Sequence, residues 1–166
     1  MALPLLWLGA GVLAVGALSQ KRPGHVKHYP GAKLAPVTPK DGAVVCCGIY
    51  GLFDHSGIWL DGHILELKGN GLIRAVSSQR FVAERSGKQI YVACDGKGGV
   101  LADPQAAERG AAMLFQYRHY HVLNNNCHRF TWYCLTGRNE PLSFFSDLNA
   151  KLSRRFRTVL SWHPAS

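Results

Sequence analysis

Apolar, β-favouring residues run on both sides of Asp61-Gly62 in the stretch Asp54-His55-Ser56-Gly57-Ile58-Trp59-Leu60-Asp61-Gly62-His63-Ile64-Leu65-Glu66-Leu67. Asp-Gly suits a two-residue type I′ turn, in which both positions take positive φ, so the pattern predicts a β-hairpin. With that loop Leu60 faces His63, Gly57 faces Glu66 and His55 faces Lys68. Paired residues share a face and successive residues alternate. His55, Gly57, Trp59, Ile64, Glu66 and Lys68 therefore fall on one face and His63 on the other. The missing side chain of Gly57 is expected to leave room between His55 and its diagonal neighbour Glu66. A loop with an odd number of residues would reverse the assignment.

The apolar period changes further along. Cys127, Phe130, Thr131 and Cys134 recur at helical spacing, after the N-capping run Asn124-Asn125-Asn126 and before Gly137. That pattern predicts a helix capped by Asn126, with Cys127 in its first turn. The runs Ala43–Tyr50 and Ile90–Cys94 read as strands, and Asp103-Pro104 as the cap and first residue of another helix. Gly96, Gly98 and Gly99 read as a turn, because no Lys-Ser/Thr pair follows them as in a phosphate loop. Leu148, Leu152, Phe156, Val159 and Leu160 form a stripe beside Lys151, Arg154, Arg155 and Arg157, predicting a basic amphipathic helix within residues 138–166. Such a helix lies either on its own domain or on a membrane surface.

Candidate chemistry follows from these placements. A thiol at a helix N-terminus sits over unpaired N–H groups and the positive end of the dipole, which favour thiolate, so Cys127 is the candidate nucleophile. His55 is the candidate base, and Glu66 is placed to hold its tautomer and to stabilise the imidazolium. Plainer readings exist for each: a structural core cysteine, a satisfied strand histidine, and a solvated edge of Glu66 with Lys68. Five cysteines make an odd number with no C-x-x-C pair, so neither a disulfide framework nor a metal site is indicated, and no cofactor motif is present. Cys46, Cys47, Cys94 and Cys134 are expected in the core.

His55-Ser56-Gly57-Ile58-Trp59, Asp61-Gly62 and Ile64-Leu65-Glu66-Leu67, followed by Tyr120-His121-Val122-Leu123 and Asn125-Asn126-Cys127-His128-Arg129-Phe130, resemble the lecithin:retinol acyltransferase-like proteins, which are circularly permuted relatives of the NlpC-type cysteine peptidases. The resemblance spans about residues 42 to 137 and implies an α+β, permuted papain-like core, with an antiparallel sheet packed on the helix that carries the cysteine. It matches Cys127 to the family nucleophile and His55 to its base. Two departures stand out. Many acyltransferase members carry a second histidine where Glu66 stands, and many read Asn-Cys-Glu-His-Phe where this chain has Asn126-Cys127-His128-Arg129-Phe130.

Ala2 to Ser19 carries no charge and is apolar or small, long enough to nearly cross a bilayer core of about 30 Å. Residues 1–19 are therefore expected to be a transmembrane anchor. Lys21, Arg22, Lys27 and Lys33 trail it, which would leave the domain on the cytoplasmic side. A cleaved signal peptide is the alternative, although no basic residue precedes the run. Residues 20–41, rich in Pro, Gly and Lys, read as a linker to a catalytic domain at 42–137. The formal net charge of +9 clusters at the two ends without the aromatic interleaving of a nucleic-acid module, so a membrane with anionic lipid is the expected partner, not nucleic acid. The function expected is thiol-dependent acyl transfer or hydrolysis on a membrane lipid or other acyl ester. A cysteine peptidase or amidase and a catalytically silent binding module remain the alternatives.

Overall fold

Asp61 and Gly62 both hold positive φ, 45° and 73°, and the strands they join pair Leu60 with His63, Trp59 with Ile64 and Ile58 with Leu65. This is the predicted register. The computed structural model describes residues 24–49, 53–83 and 85–166, so the segment expected as a membrane anchor lies outside the described residues. No helix among those described is long and apolar enough to cross a membrane.

The chain is α+β. The hairpin strands β3 (Phe53–Leu60) and β4 (His63–Leu67) belong to a sheet with β1 (Val26–His28), β2 (Val44–Ile49), β5 (Ile73–Ser77), β6 (Tyr91–Cys94) and β7 (Leu160–Pro164). Its order is β1-β7-β6-β2-β3-β4-β5. All neighbours are antiparallel except β1 and β7, so the sheet is mixed where a purely antiparallel one was expected. The helices are α1 (Ser78–Val82), α2 (Pro104–Ala111), α3 (Cys127–Thr136) and α4 (Phe145–Phe156).

Alternation along the strands sorts the core into two layers. Val44, Cys46, Ile58, Leu65 and Leu67 face the layer that holds Phe130, Cys134 and Leu135 of α3, Leu148 and Leu152 of α4, and Trp162 of β7. Ala43, Val45, Cys47, Ile64 and Val92 face the opposite layer with Phe81 of α1. The adjacent Cys46 and Cys47 thus point to different sides, both fully buried. Each fully buried side chain of the size of Leu or Phe contributes about 2 kcal/mol of hydrophobic burial.

Two expected segments differ. The amphipathic helix expected within 138–166 ends at Phe156, where Arg157 takes positive φ, and the chain continues as a strand that buries Leu160 and Trp162. Leu148 and Leu152 pack on the domain itself. The sequence stripe merged a helix and a strand because Leu160 is apolar in either periodicity. Part of the expected linker is also structured: Val26 pairs with Leu160, and Val37 N–H donates to the Pro164 carbonyl at 2.9 Å. The sheet therefore extends past residues 42–137 at both ends.

Gly57 does not leave an open gap. A Cβ there would lie 2.6 Å from Ile64 Cγ2 and 2.7 Å from the Leu65 carbonyl oxygen, so neighbouring atoms already occupy the space. Gly57→Ala is expected to cost about 1 to 3 kcal/mol in urea denaturation. Gly48→Ala, whose Cβ would meet nothing within 4 Å, serves as the matched strand control and should be near neutral.

Candidate active site

Helix α3 begins as predicted. The Asn126 side chain accepts from Arg129 N–H at 3.0 Å, and its amide donates to the carbonyls of Val122 at 2.7 Å and Ser143 at 2.9 Å. Gly137 closes the helix at φ 70°. Cys127 is its first residue and is 4% exposed. The helix is pinned to β3 by a buried polar ladder, in which Ser56 Oγ lies 3.0 Å from Thr131 Oγ1 and 2.9 Å from His128 Nδ1. That ladder sets where Cys127 stands relative to the strand.

His55, next to Ser56 on β3, points to the opposite face and is also buried. Its Nε2–H donates to Glu66 Oε2 at 2.6 Å, leaving Nδ1 as the ring nitrogen free to serve the thiol. The His55 ring lies 5.0 Å from that of Phe81, and the Arg85 guanidinium covers the same phenyl ring at 5.2 Å. Glu66 has no exposure to solvent. Its other oxygen accepts from Arg74, Nη2 at 2.6 Å and Nε at 2.8 Å, while Arg85 Nη2 stands 3.1 Å from Oε2. Glu66 and His55 are thus joined directly, and Cys127 lies near enough to His55 for each to shift the titration of the other. His63 is exposed and bonds the Asp61 carbonyl at 2.8 Å, outside the cluster. Lys68 belongs to the turn after β4, its N–H donating to the Leu72 carbonyl.

The electrostatics single out one thiol. Burial works to raise the Cys127 thiol, yet the charge of His128, that of His55 and hydrogen bonds from both imidazoles hold it well below the usual thiol range. The Cys127 sulfur lies 3.9 Å from His128 Nδ1. Burial works to lower His55, but the charge and hydrogen bond of Cys127 and the bond to Glu66 outweigh it, so His55 stands above its ordinary value. The other cysteines move the opposite way: burial pushes Cys47 and Cys134 up to about 12, Cys94 to about 11, and Cys46 well above the ordinary range. Burial opposes ionisation of Glu66, but the His55 hydrogen bond and charge, with Arg85 and Arg74, bring it down to about 2.

Several members of the cluster were not anticipated. His128 lies in the first turn beside the thiol, a position visible in the helical pattern but read only as a departure from the family motif. Arg74 pairs with Glu66 across β4 and β5, and β5 carried no clear alternation from which to place it. Arg85 and Tyr120 arrive from irregular segments that have no period. Tyr120 stands close to Cys127, and burial and the Cys127 charge push its hydroxyl upward. Asp54 is raised mainly by burial, with His128 and Cys127 near it. Among the described residues, no group of three His, Cys, Asp or Glu is arranged to hold a metal ion.

Alkylation of Cys127 by iodoacetamide should stay near its plateau to pH values below the usual thiol range before falling, and His128→Ala or His55→Ala should move the inflection upward. The remaining thiols should react only on unfolding. Glu66→Gln should destabilise the fold by about 3 kcal/mol in urea titration, since it strips the counter-charge from two half-buried guanidiniums. Because Glu66 is held at about 2 against an ordinary 4.5, its contribution is complete above pH 4.5 and is lost as pH falls toward 2. The wild-type stability curve should drop through that window, and the curve of the Gln variant should be flatter.

Comparison with protein-family models, with curated proteins and with solved structures gives no match, so the reading of this cluster rests on its own chemistry.

Proposed function

We propose that the chain is a cysteine acyltransferase or hydrolase that works through an acyl-enzyme on Cys127, with a membrane lipid or another acyl ester as donor. The observation that carries this reading is the contrast among the thiols: one is held toward thiolate between two imidazoles at a helix N-terminus, while four others are driven the opposite way. A core cysteine has no need of that environment. The permuted papain-like arrangement is part of the proposal. It is supported by a histidine strand that precedes the cysteine helix and by packing of that helix on the sheet.

In this mechanism the Cys127 thiolate attacks the ester carbonyl carbon, and the carbonyl oxygen takes the negative charge. The Cys127 N–H at the helix start and the Tyr120 hydroxyl are the proposed donors to that oxygen. Collapse expels the alcohol oxygen, which takes the proton from His55, and a thioester remains on Cys127. Water or another acceptor hydroxyl then gives its proton to His55 and attacks the thioester, releasing the acyl product and restoring the thiolate. Glu66 keeps the His55 Nε2–H oriented and balances the imidazolium. The uncharged run at residues 1–19 is proposed to hold this domain at the cytoplasmic face of a membrane.

Incubation of the protein with a lipid extract should give a peptide containing Cys127 whose mass is raised by an acyl group in place of one hydrogen. Cys127→Ala should abolish the adduct. An adduct formed only from peptide or amide donors would move the reading to an amidase, and no adduct from either donor class would leave a binding module. With a thioester or ester donor, Cys127→Ala and His55→Ala should each reduce kcat/KM by about a thousandfold or more, and the double variant should be little worse than either single one. Multiplicative losses would count against the pairing.

A further inference from the structure

Four of the five large hydrophobic side chains exposed among the described residues fall within one short segment ahead of α3: Phe115 at 80%, Tyr117 at 71%, Val122 at 58% and Leu123 at 44%. A floppy loop would fold such side chains back. This one cannot, because its first part is laced to the sheet edge. Phe115 N–H donates to the Ile73 carbonyl at 2.9 Å, Ile73 N–H to the Gln116 carbonyl at 3.0 Å, and Arg118 N–H to the Gly71 carbonyl at 2.8 Å. Phe115 even takes positive φ, 65°, a strained conformation for an aromatic residue, and holds its ring in water while doing so. Strain and exposure thus coincide at this one residue.

The charge around the segment is one-sided. From Arg109 to Asn139 the sequence has no carboxylate. Arg118, His119, His121, Arg129 and three asparagines line an open basin of about 590 Å³ beside the apolar tips. Leu123 and Val122 are tied to the cap of α3 through the Ser143 hydroxyl and the Asn126 amide, so the edge adjoins Cys127.

We propose that the segment from Phe115 to Asn125 is an interfacial edge that seats on an anionic lipid bilayer, its four apolar side chains entering the headgroup boundary while Arg118 and Arg129 meet lipid phosphates. Arg118 stacks on the Tyr133 ring at 4.7 Å and Arg129 donates to Asn139 and the Asn124 carbonyl, so neutral groups place both guanidiniums, and no carboxylate among the described residues pairs with either. Protruding aromatic and aliphatic tips flanked by such arginines suit an anionic interface. A second copy of the chain would bring the same arginines against each other in a two-fold contact, which disfavours that occupant. The edge gives the lipid-directed reading above its orientation and rests on that reading for its purpose.

The test measures depth, not turnover. Full-length protein is reconstituted into vesicles of phosphatidylcholine alone or mixed with phosphatidylglycerol, carrying a nitroxide at Val122→Cys or, as control, at Lys97→Cys. Both are made in a Cys127→Ser background, the remaining cysteines being fully buried. The ratio of oxygen to water-soluble nickel accessibility should rise severalfold at position 122 when phosphatidylglycerol is present, stay aqueous at position 97, and fall back in Phe115→Ser and Arg118→Gln. An aqueous ratio at position 122 in both vesicles would overturn the proposal, and so would dipolar broadening at position 122 without lipid, which would assign the edge to a second copy. Seating by this edge, with no acyl adduct on the wild-type protein in the same vesicles, would sink the proposed chemistry and leave the edge standing. An adduct with an aqueous edge would do the reverse.

Discussion

A carboxylate shut away from water must have its charge answered from within the protein, and Glu66 is answered three times, by His55, Arg74 and Arg85. Those partners come from β3, β5 and the segment after α1, so a single side chain binds together the end of the sheet that carries the candidate site. Desolvation of the group is expensive, and the pairings repay it only because each oxygen is engaged at hydrogen-bond distance. The cluster gains orientation in return. His55 is held through Nε2, with Phe81 against its ring.

Cys127, the candidate nucleophile, is placed by a second polar device on the other face of β3. Ser56 and His55 are successive residues pointing to opposite sides, one reaching the helix through Thr131 and His128 and the other reaching Glu66. A strand that alternates in this way positions His55 and the helix that carries Cys127 from one stretch of backbone. The same alternation explains why a one-residue slip of the hairpin would exchange His55 for Ser56 and dismantle both devices together.

How far this was legible in the sequence depends on period. The hairpin with its Asp-Gly turn, the cap and glycine stop of α3, and the shared face of His55 and Glu66 all follow from short-range patterns, and the structure holds them. Features carried by long-range pairing were silent: β1 against β7, Arg74 against Glu66, and the strand character of Leu160–Pro164. Arg85 and Tyr120 come from aperiodic segments, and no local rule aims such side chains. His128 was visible as a helix-start residue, but its value depends on Ser56, a partner distant in sequence.

The last strand in chain order among the described residues occupies an interior place in the sheet, between β1 and β6. Its Trp162 ring lies 5.2 Å from that of Phe145, whose ring in turn lies 5.6 Å from that of His128. A chain emerging residue by residue would therefore hold the hairpin, the cysteine helix and both imidazoles before the wall behind His128 existed. Until Trp162 arrives, Phe145 has no backing there, and β1 is left without its neighbour. The packing behind His128 is finished only when the sheet closes, so the surroundings of Cys127 are completed together with the sheet itself.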